Sequence, residues 1–254
     1  MPTDRDADEI ARSAAEAKKV KFSDVDLGRY YNPPADTCYP LEYAFHLLGD
    51  VHDRLVLDLG CGSGEETVPL RQRGARVIGI DLSPDLISLA QRRLEKYGLD
   101  ADVRVGSAYD TGLPAQSVDV IFCIALLHHL EMARAKKEML RILKPNGLLI
   151  VQEPIRLSWT MKQLRRLFPK GEDVSEGEYP LNSHQLEELV DGMELLATRN
   201  FRTPLVPMLL RAFRGPSAEH KIWSRDMWIL RHFPFLEHFA TVRVMAMRAP
   251  QNTA

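Results

Sequence analysis

Between residues 55 and 67 the chain reads Leu-Val-Leu-Asp-Leu-Gly-Cys-Gly-Ser-Gly-Glu-Glu-Thr. The apolar run, interrupted by Asp58 and closed by Gly60, Gly62 and Gly64, predicts a buried parallel strand, a tight loop and a helix. That helix is expected over about residues 64–73, with Gly74 as its stop. Ser63 and Glu66 have the spacing of a capping box, and Glu65 and Glu66 set negative charge at the positive end of the helix dipole. Pro69 opposes the helix, since proline in a helix interior costs ~3 kcal/mol, so the helix either bends there or is short. A side chain at any of the three glycines would hold a ligand off the backbone, so the loop is expected to approach one closely.

A dinucleotide loop spaces its glycines G-x-G-x-x-G and holds a pyrophosphate on backbone amides and a helix N-terminus. Here the third glycine comes one residue early and Glu65 stands in its place, where a carboxylate would oppose a pyrophosphate. The pattern D-x-G-x-G-x-G over residues 58–64 instead resembles the first motif of class I S-adenosylmethionine-dependent methyltransferases. That ligand carries an ammonium and a carboxylate but no phosphate, so acidic residues at the loop mouth are tolerable.

The remaining chain alternates strand and helix patterns. Strands are expected at residues 77–80, 102–105, 118–124 and 147–152, the third being a continuous apolar run of the kind covered on both faces. Ser83-Pro84 predicts an N-cap and first-position proline for a helix reaching Leu94, and residues 131–143 an amphipathic helix ended by Pro145. Residues 41–48 form a helix stopped by Gly49. Such alternation implies an α/β fold with a doubly wound parallel sheet. Ligands of these sheets bind beyond the carboxyl ends of the strands. The glycine loop, Asp81, Ser107, His128–His129 and Glu153 all fall at such ends. Further strands are expected at 194–201 and 240–247.

At 254 residues the chain suits one large domain, which buries roughly 75% of its unfolded surface. We divide it into an N-terminal arm and helices over 1–50, a cofactor core over 51–153, an acceptor-side elaboration over 154–239 and a final strand over 240–248. Residues 22–39 read as an irregular surface arm, or as a lid in which Tyr30 or Tyr31 covers the ligand. A net charge of −2 gives no electrostatic case for nucleic acid. No apolar run nears the ~18 residues of a bilayer span, so no stable membrane insertion is expected. The three cysteines, Cys38, Cys61 and Cys123, form no C-x-x-C pair, which suits a reducing cytoplasm and gives no metal site.

Residues 55–153 are similar to the core of the methyltransferase type 11 group. The matching stretches are 56–64, 77–84, 106–114, 119–130 and the Leu-Lys-Pro-Asn-Gly run at 143–147. The resemblance implies a mostly parallel seven-stranded sheet, the last strand antiparallel and inserted between strands five and six, with S-adenosyl-L-methionine as cofactor. It places Gly60, Cys61, Gly62 and Gly64 along the methionine half, with Asp58 supporting the ammonium. Asp81 would accept the ribose hydroxyls, Leu82 and Ile124 would sandwich the purine, and Ser107 and Ala108 would meet its amino edge. Ser107 departs from the family, which often has aspartate there. His129, in Ala-Leu-Leu-His-His-Leu, is the candidate general base for an oxygen acceptor, although packing or hydrogen bonding is the commoner role for such histidines.

The aromatics Trp159, Phe168, Trp223, Trp228 and Phe233 allow a small, apolar or ring-containing acceptor, whereas the basic amphipathic stretch 156–170 reads as a solvated helix face or a contact with a lipid surface. The competing readings are a cofactor-binding protein without turnover and, less favoured, an NAD-dependent oxidoreductase.

Overall fold

The computed structural model describes residues 24–155, 180–213 and 215–251. Expectations for the stretches 1–20 and 156–170, including Trp159 and Phe168, lie outside the described residues. Short helices α1 (Leu27–Tyr31) and α2 (Pro40–Leu48) precede β1 (Leu55–Leu59), α3 (Thr67–Gln72), β2 (Arg76–Asp81), α4 (Pro84–Lys96), β3 (Asp102–Val105) and β4 (Val118–Ile124). A 3₁₀ turn, Leu127–His129, leads to α5 (Met132–Ile142), β5 (Leu143–Pro154), α6 (Ser183–Val190) and β6 (Glu194–Phe201). Helices α7 (Leu205–Ala212) and α8 (Pro216–His232), a 3₁₀ segment Pro234–Phe239 and β7 (Val242–Arg248) complete the order.

The sheet runs β3-β2-β1-β4-β5-β7-β6. The first five strands pair in parallel, and β7 is antiparallel to both β5 and β6. This is the seven-stranded, doubly wound arrangement the sequence implies. One face buries Val56, Val120, Phe122, Ile150 and Val244 under Phe45 and Leu48 of α2 and Met227 of α8. The other buries Leu57, Ile121, Leu149 and Met245 under Met132, Ala135 and Met139 of α5 and Leu186 and Leu189 of α6. Alternation along each strand therefore serves two cores, and the central strands are apolar throughout.

Local expectations met tertiary corrections in three places. Helix α3 is shorter than 64–73, and its N-cap Glu66 makes no side-chain cap bond, so the Ser63–Glu66 capping box does not form. Pro69 is tolerated because it occupies the first turn, where no intrahelical donor is needed. Strand β5 begins at Leu143 rather than 147: Leu143 pairs with Val118 before a register shift carries Leu148 onto Val120. Asn146 has φ 60°, and a Cβ on Gly147 would lie 2.8 Å from the Lys144 carbonyl oxygen, so that excursion needs glycine. Residues 27–31 form a helix in place of an irregular arm. Tyr30 packs on Phe45 at 5.0 Å between ring centroids, while Tyr31 is exposed.

Among the described residues no helix is long and apolar enough to cross a membrane. The loop before β4 is clamped by Glu138 of α5. One carboxylate oxygen accepts the Thr111 amide at 2.8 Å and its hydroxyl at 2.6 Å, and the group also pairs with Arg141. Although burial opposes its charge, these donors hold the Glu138 carboxyl down near about 2. Because this lies below its ordinary 4.5, the clamp contributes fully above about pH 4.5 and is lost as pH falls toward 2. Glu138→Gln is expected to cost about 1–2 kcal/mol at pH 7. Denaturant titrations at pH 7 and pH 3 should show the gap between variant and wild type narrowing in acid.

Candidate active site

The turn after β1 is held by β2. The amides of Gly60 and Cys61 both donate to the Ile80 carbonyl, at 2.8 and 3.1 Å, and the Gly62 amide donates to Asp81 Oδ2 at 3.0 Å. The other Asp81 oxygen accepts the Ser83 amide at 2.9 Å, so this carboxylate is fixed at the carboxyl end of β2. The Gly64 amide closes on the Cys61 carbonyl at 2.8 Å.

The three glycines serve different ends. A Cβ on Gly60 would meet Leu126 at 2.9 Å, and one on Gly64 would meet Ala90 of α4 at 3.0 Å, so both are demanded by packing. Gly62, with φ 48°, faces open space. Only there does the loop offer bare backbone to a ligand. The Cys61 thiol points into the core under α4, beside Gly79 and Val103, and burial raises its pKa.

Acidic groups crowd this turn. Asp58 is buried and accepts the Thr67 hydroxyl at 2.6 Å; burial, with Asp81 nearby, pushes its carboxyl up to about 7. Burial beside Asp58 and Glu65 likewise pushes Glu66 up to about 8. The counterweight is Arg93, a fully buried residue of α4 whose guanidinium donates to the Ser63 carbonyl at 2.9 Å and pairs with Glu65 at 3.1 Å. Nothing in the local sequence distinguishes Arg93 from Arg92 beside it, apart from its place on the same helix face as Leu86 and Ala90.

A second buried carboxylate shapes the opposite wall. Glu153 ends β5 with no exposed surface; one oxygen accepts the Leu126 and Leu127 amides at 2.8 and 2.6 Å, and the other meets His128 Nδ1 at 2.7 Å. His128 therefore orders the turn, in line with the structural role expected for it. His129 is half-buried, its ring centroid 3.9 Å from that of His128 with the two planes tilted by 41°. Ser107 Oγ accepts the Tyr109 amide at 3.2 Å, while Ala108 packs toward the α5 face. Ile124 lies on the α2 face, and half-buried Leu82 follows Asp81. The structure thus gathers the candidates at the carboxyl ends of β1, β2, β3 and β4.

The family model described as "Methyltransferase domain" matches residues 57–151, from β1 through β5. A ubiquinone biosynthesis O-methyltransferase of Actinobacillus pleuropneumoniae serotype 5b is 28% identical over 162 residues, covering 61% of this chain and 68% of the relative. A trans-aconitate 2-methyltransferase of Azoarcus sp. (strain BH72) is 36% identical over 118 residues, covering 45% of this chain and 44% of the relative. Thus the chain spans about half to two-thirds of these relatives. The crystal structure of a geranyl diphosphate C-methyltransferase from Streptomyces coelicolor A3(2) superposes with TM-score 0.59 at 19% identity, covering 82% of this chain and 78% of that one.

The matched region contains the whole glycine turn and the arginine that secures it. Arg93→Met keeps the apolar stem but leaves the Ser63 carbonyl without its donor, at a cost of about 1–3 kcal/mol. Thermal unfolding should show a fall of several degrees, larger than that of Arg92→Met. The strand order, the glycine turn and the matched domain agree: residues 57–151 match a methyltransferase domain of the type 11 group, set in the sheet of a class I S-adenosylmethionine-dependent methyltransferase fold.

Proposed function

We propose that the protein transfers a methyl group to an oxygen, nitrogen or carbon nucleophile of a small apolar or aromatic acceptor, with the cofactor held over Gly62 and gripped by Asp81. The observation that carries this reading is the Asp81 carboxylate, fixed by two amides beside the one loop glycine that faces open space. A carboxylate so held accepts two hydroxyls well, as a ribose presents them. The amides of Gly60, Cys61, Gly62 and Gly64 are engaged inside the protein, as are the carbonyls of Cys61, Ser63 and Gly64, so the loop offers a ligand the carbonyl oxygens of Gly60 and Gly62 rather than its amides. Carbonyls and acids suit an ammonium, and they reject the pyrophosphate of a nicotinamide dinucleotide.

In this reading Asp58 and Glu66 provide the negative field for the amino-acid ammonium. Leu82 and Ile124 border the purine beside Ala108. The Ser107 hydroxyl already accepts an amide and keeps its proton to donate to a ring nitrogen. S-adenosyl-L-methionine supplies a methyl group already activated on a sulfonium, so the protein's main contribution is alignment. On the α2 face, Tyr30, Tyr39 and Trp223 pack against the same cluster as Ile124, giving an aromatic wall for the acceptor. Gln152 stands opposite Ile124 in register, and its Oε1 is buried with no hydrogen-bond partner among the described residues. That oxygen suits an acceptor O–H or N–H. His129 takes the proton from an oxygen acceptor, its ring steadied by the His128–Glu153 pair. The buried free cysteines fit a cytoplasmic protein.

Incubation with methyl-labelled cofactor and a metabolite extract tests turnover; labelled donor left wholly unconsumed would sink the reading. Asp81→Asn should weaken S-adenosylhomocysteine binding roughly 10- to 100-fold by calorimetry. His129→Phe should leave that affinity unchanged while slowing transfer to an oxygen acceptor by about 10²-fold or more.

The raised Asp58 and Glu66 carboxyls give a pH signature. An ammonium beside them favours their ionised forms, so binding releases protons and affinity climbs as pH rises from 6 toward 8. In Glu66→Gln that climb should flatten. A slope identical to wild type would remove Glu66 from the cofactor's surroundings.

A further inference from the structure

Helix α8 has two unlike faces. Inward, Met227 and Trp223 pack on the sheet, Leu230 is buried with them, and buried Asp226 accepts the Thr203 amide and hydroxyl. Outward, the spacing i, i+4, i+7, i+11 lines up Lys221, Arg225, Trp228 and His232, all of them exposed. At ~1.5 Å per residue that row is about 16 Å long. Past the end of the helix, Phe233 and Phe235 continue it. The Trp228 and His232 rings stack at 4.4 Å, Trp228 meets Phe233 edge-on at 6.2 Å, and Phe233 meets Phe235 edge-on at 6.1 Å.

These rings stand well clear of the core: Trp228 is 54% exposed, Phe233 43% and Phe235 65%. Six of the ten large apolar side chains exposed among the described residues fall between residues 205 and 235. The other three of the six, Leu205, Met208 and Phe213, belong to α7 and its C-cap, and α7 packs against α8. A face turned only to water rarely groups apolar side chains in this way. Charge is concentrated here too. Residues 202–239 hold six lysines and arginines against three acids, a local charge of +3 in a chain whose net charge is −2, and Asp226 among those acids is buried.

We propose that the outward face of α8 docks on an anionic phospholipid surface, with the Trp228, Phe233 and Phe235 rings entering the headgroup boundary and Lys221 and Arg225 meeting lipid phosphates. An interfacial helix needs an apolar anchor and cations on one exposed side, and the row supplies both. Tryptophan and its neighbouring rings favour the headgroup level, where an apolar body meets a wet edge. The acidic remainder of the chain is repelled by such a surface, so the cationic segment turns toward it. A second copy would instead present the same positive segment to its twin. Docking of this kind is peripheral and reversible, and it needs neither methyl transfer nor a particular acceptor.

The test is flotation of the full chain with vesicles of phosphatidylcholine alone and of phosphatidylcholine mixed with phosphatidylglycerol. Binding to the mixed vesicles is expected to exceed binding to the neutral ones about tenfold or more, and to weaken as salt is raised. The pair Trp228→Ser and Phe235→Ser, and separately the pair Lys221→Glu and Arg225→Glu, should each lower binding about tenfold or more. Both double variants should keep the wild-type affinity for S-adenosylhomocysteine and the wild-type unfolding midpoint, which shows that they are folded. Mixed vesicles that float without the protein, equal binding to the two compositions, or binding indifferent to both double variants would each overturn the assignment. So would a dimer in analytical ultracentrifugation that Trp228→Ser with Phe235→Ser takes apart, because a second copy would then cover the face.

Discussion

Strand β2 supplies the acceptors that close the turn after β1. Three consecutive amides, of Gly60, Cys61 and Gly62, end on the Ile80 carbonyl and the Asp81 carboxylate. Each such bond contributes only ~1 kcal/mol net, but leaving a buried amide unpaired would cost more. The parallel register that sets Leu59 against Ile80 is therefore also the register that builds the site. A slip of one residue would invert the faces of β2 and take its carboxyl end away from the glycines. The mouth of the crevice follows from the same pairing, because Asp81 is the last residue of the strand that makes it.

Having spent its amides internally, the turn can afford its acidic surroundings only with help. Asp81 raises Asp58, Asp58 raises Glu66, and a buried arginine from α4 offsets part of the effect on Glu66. Burial holds the Asp58 and Glu66 carboxyls well above the usual carboxylate range, and a cationic ligand would favour their charged forms where a phosphate would oppose them. Opposite them Glu153 solves a similar problem differently. Two amides and His128 satisfy it completely, and the result is a rigid 126–128 turn rather than a site of spare charge.

Much of the architecture was legible from local pattern. Leu55–Leu59, Asp102–Val105, Val118–Ile124 and Glu194–Phe201 are strands with the bounds their apolar runs and flanking turn residues imply. Ser83 caps α4 through Leu86, and Gly49 ends α2, because capping depends on neighbours within a turn. Where pattern failed, a distant partner decided: Leu143 joined β5 because Val118 lay beside it, and Glu66 became the N-cap of a short helix without the expected box.

By itself the sequence determined the order of elements, the faces they bury and the glycine turn with its terminal aspartate, all properties of residues close together along the chain. Tertiary structure alone decided that only Gly62 of the three glycines is open, that Arg93 rather than Arg92 secures the turn, and that Glu153 takes up the amides of Leu126 and Leu127. The reason is physical. Apolar periodicity records which side of an element meets the core, but a buried polar group's partner is fixed by crossovers that carry the chain tens of residues away before returning it within 3 Å.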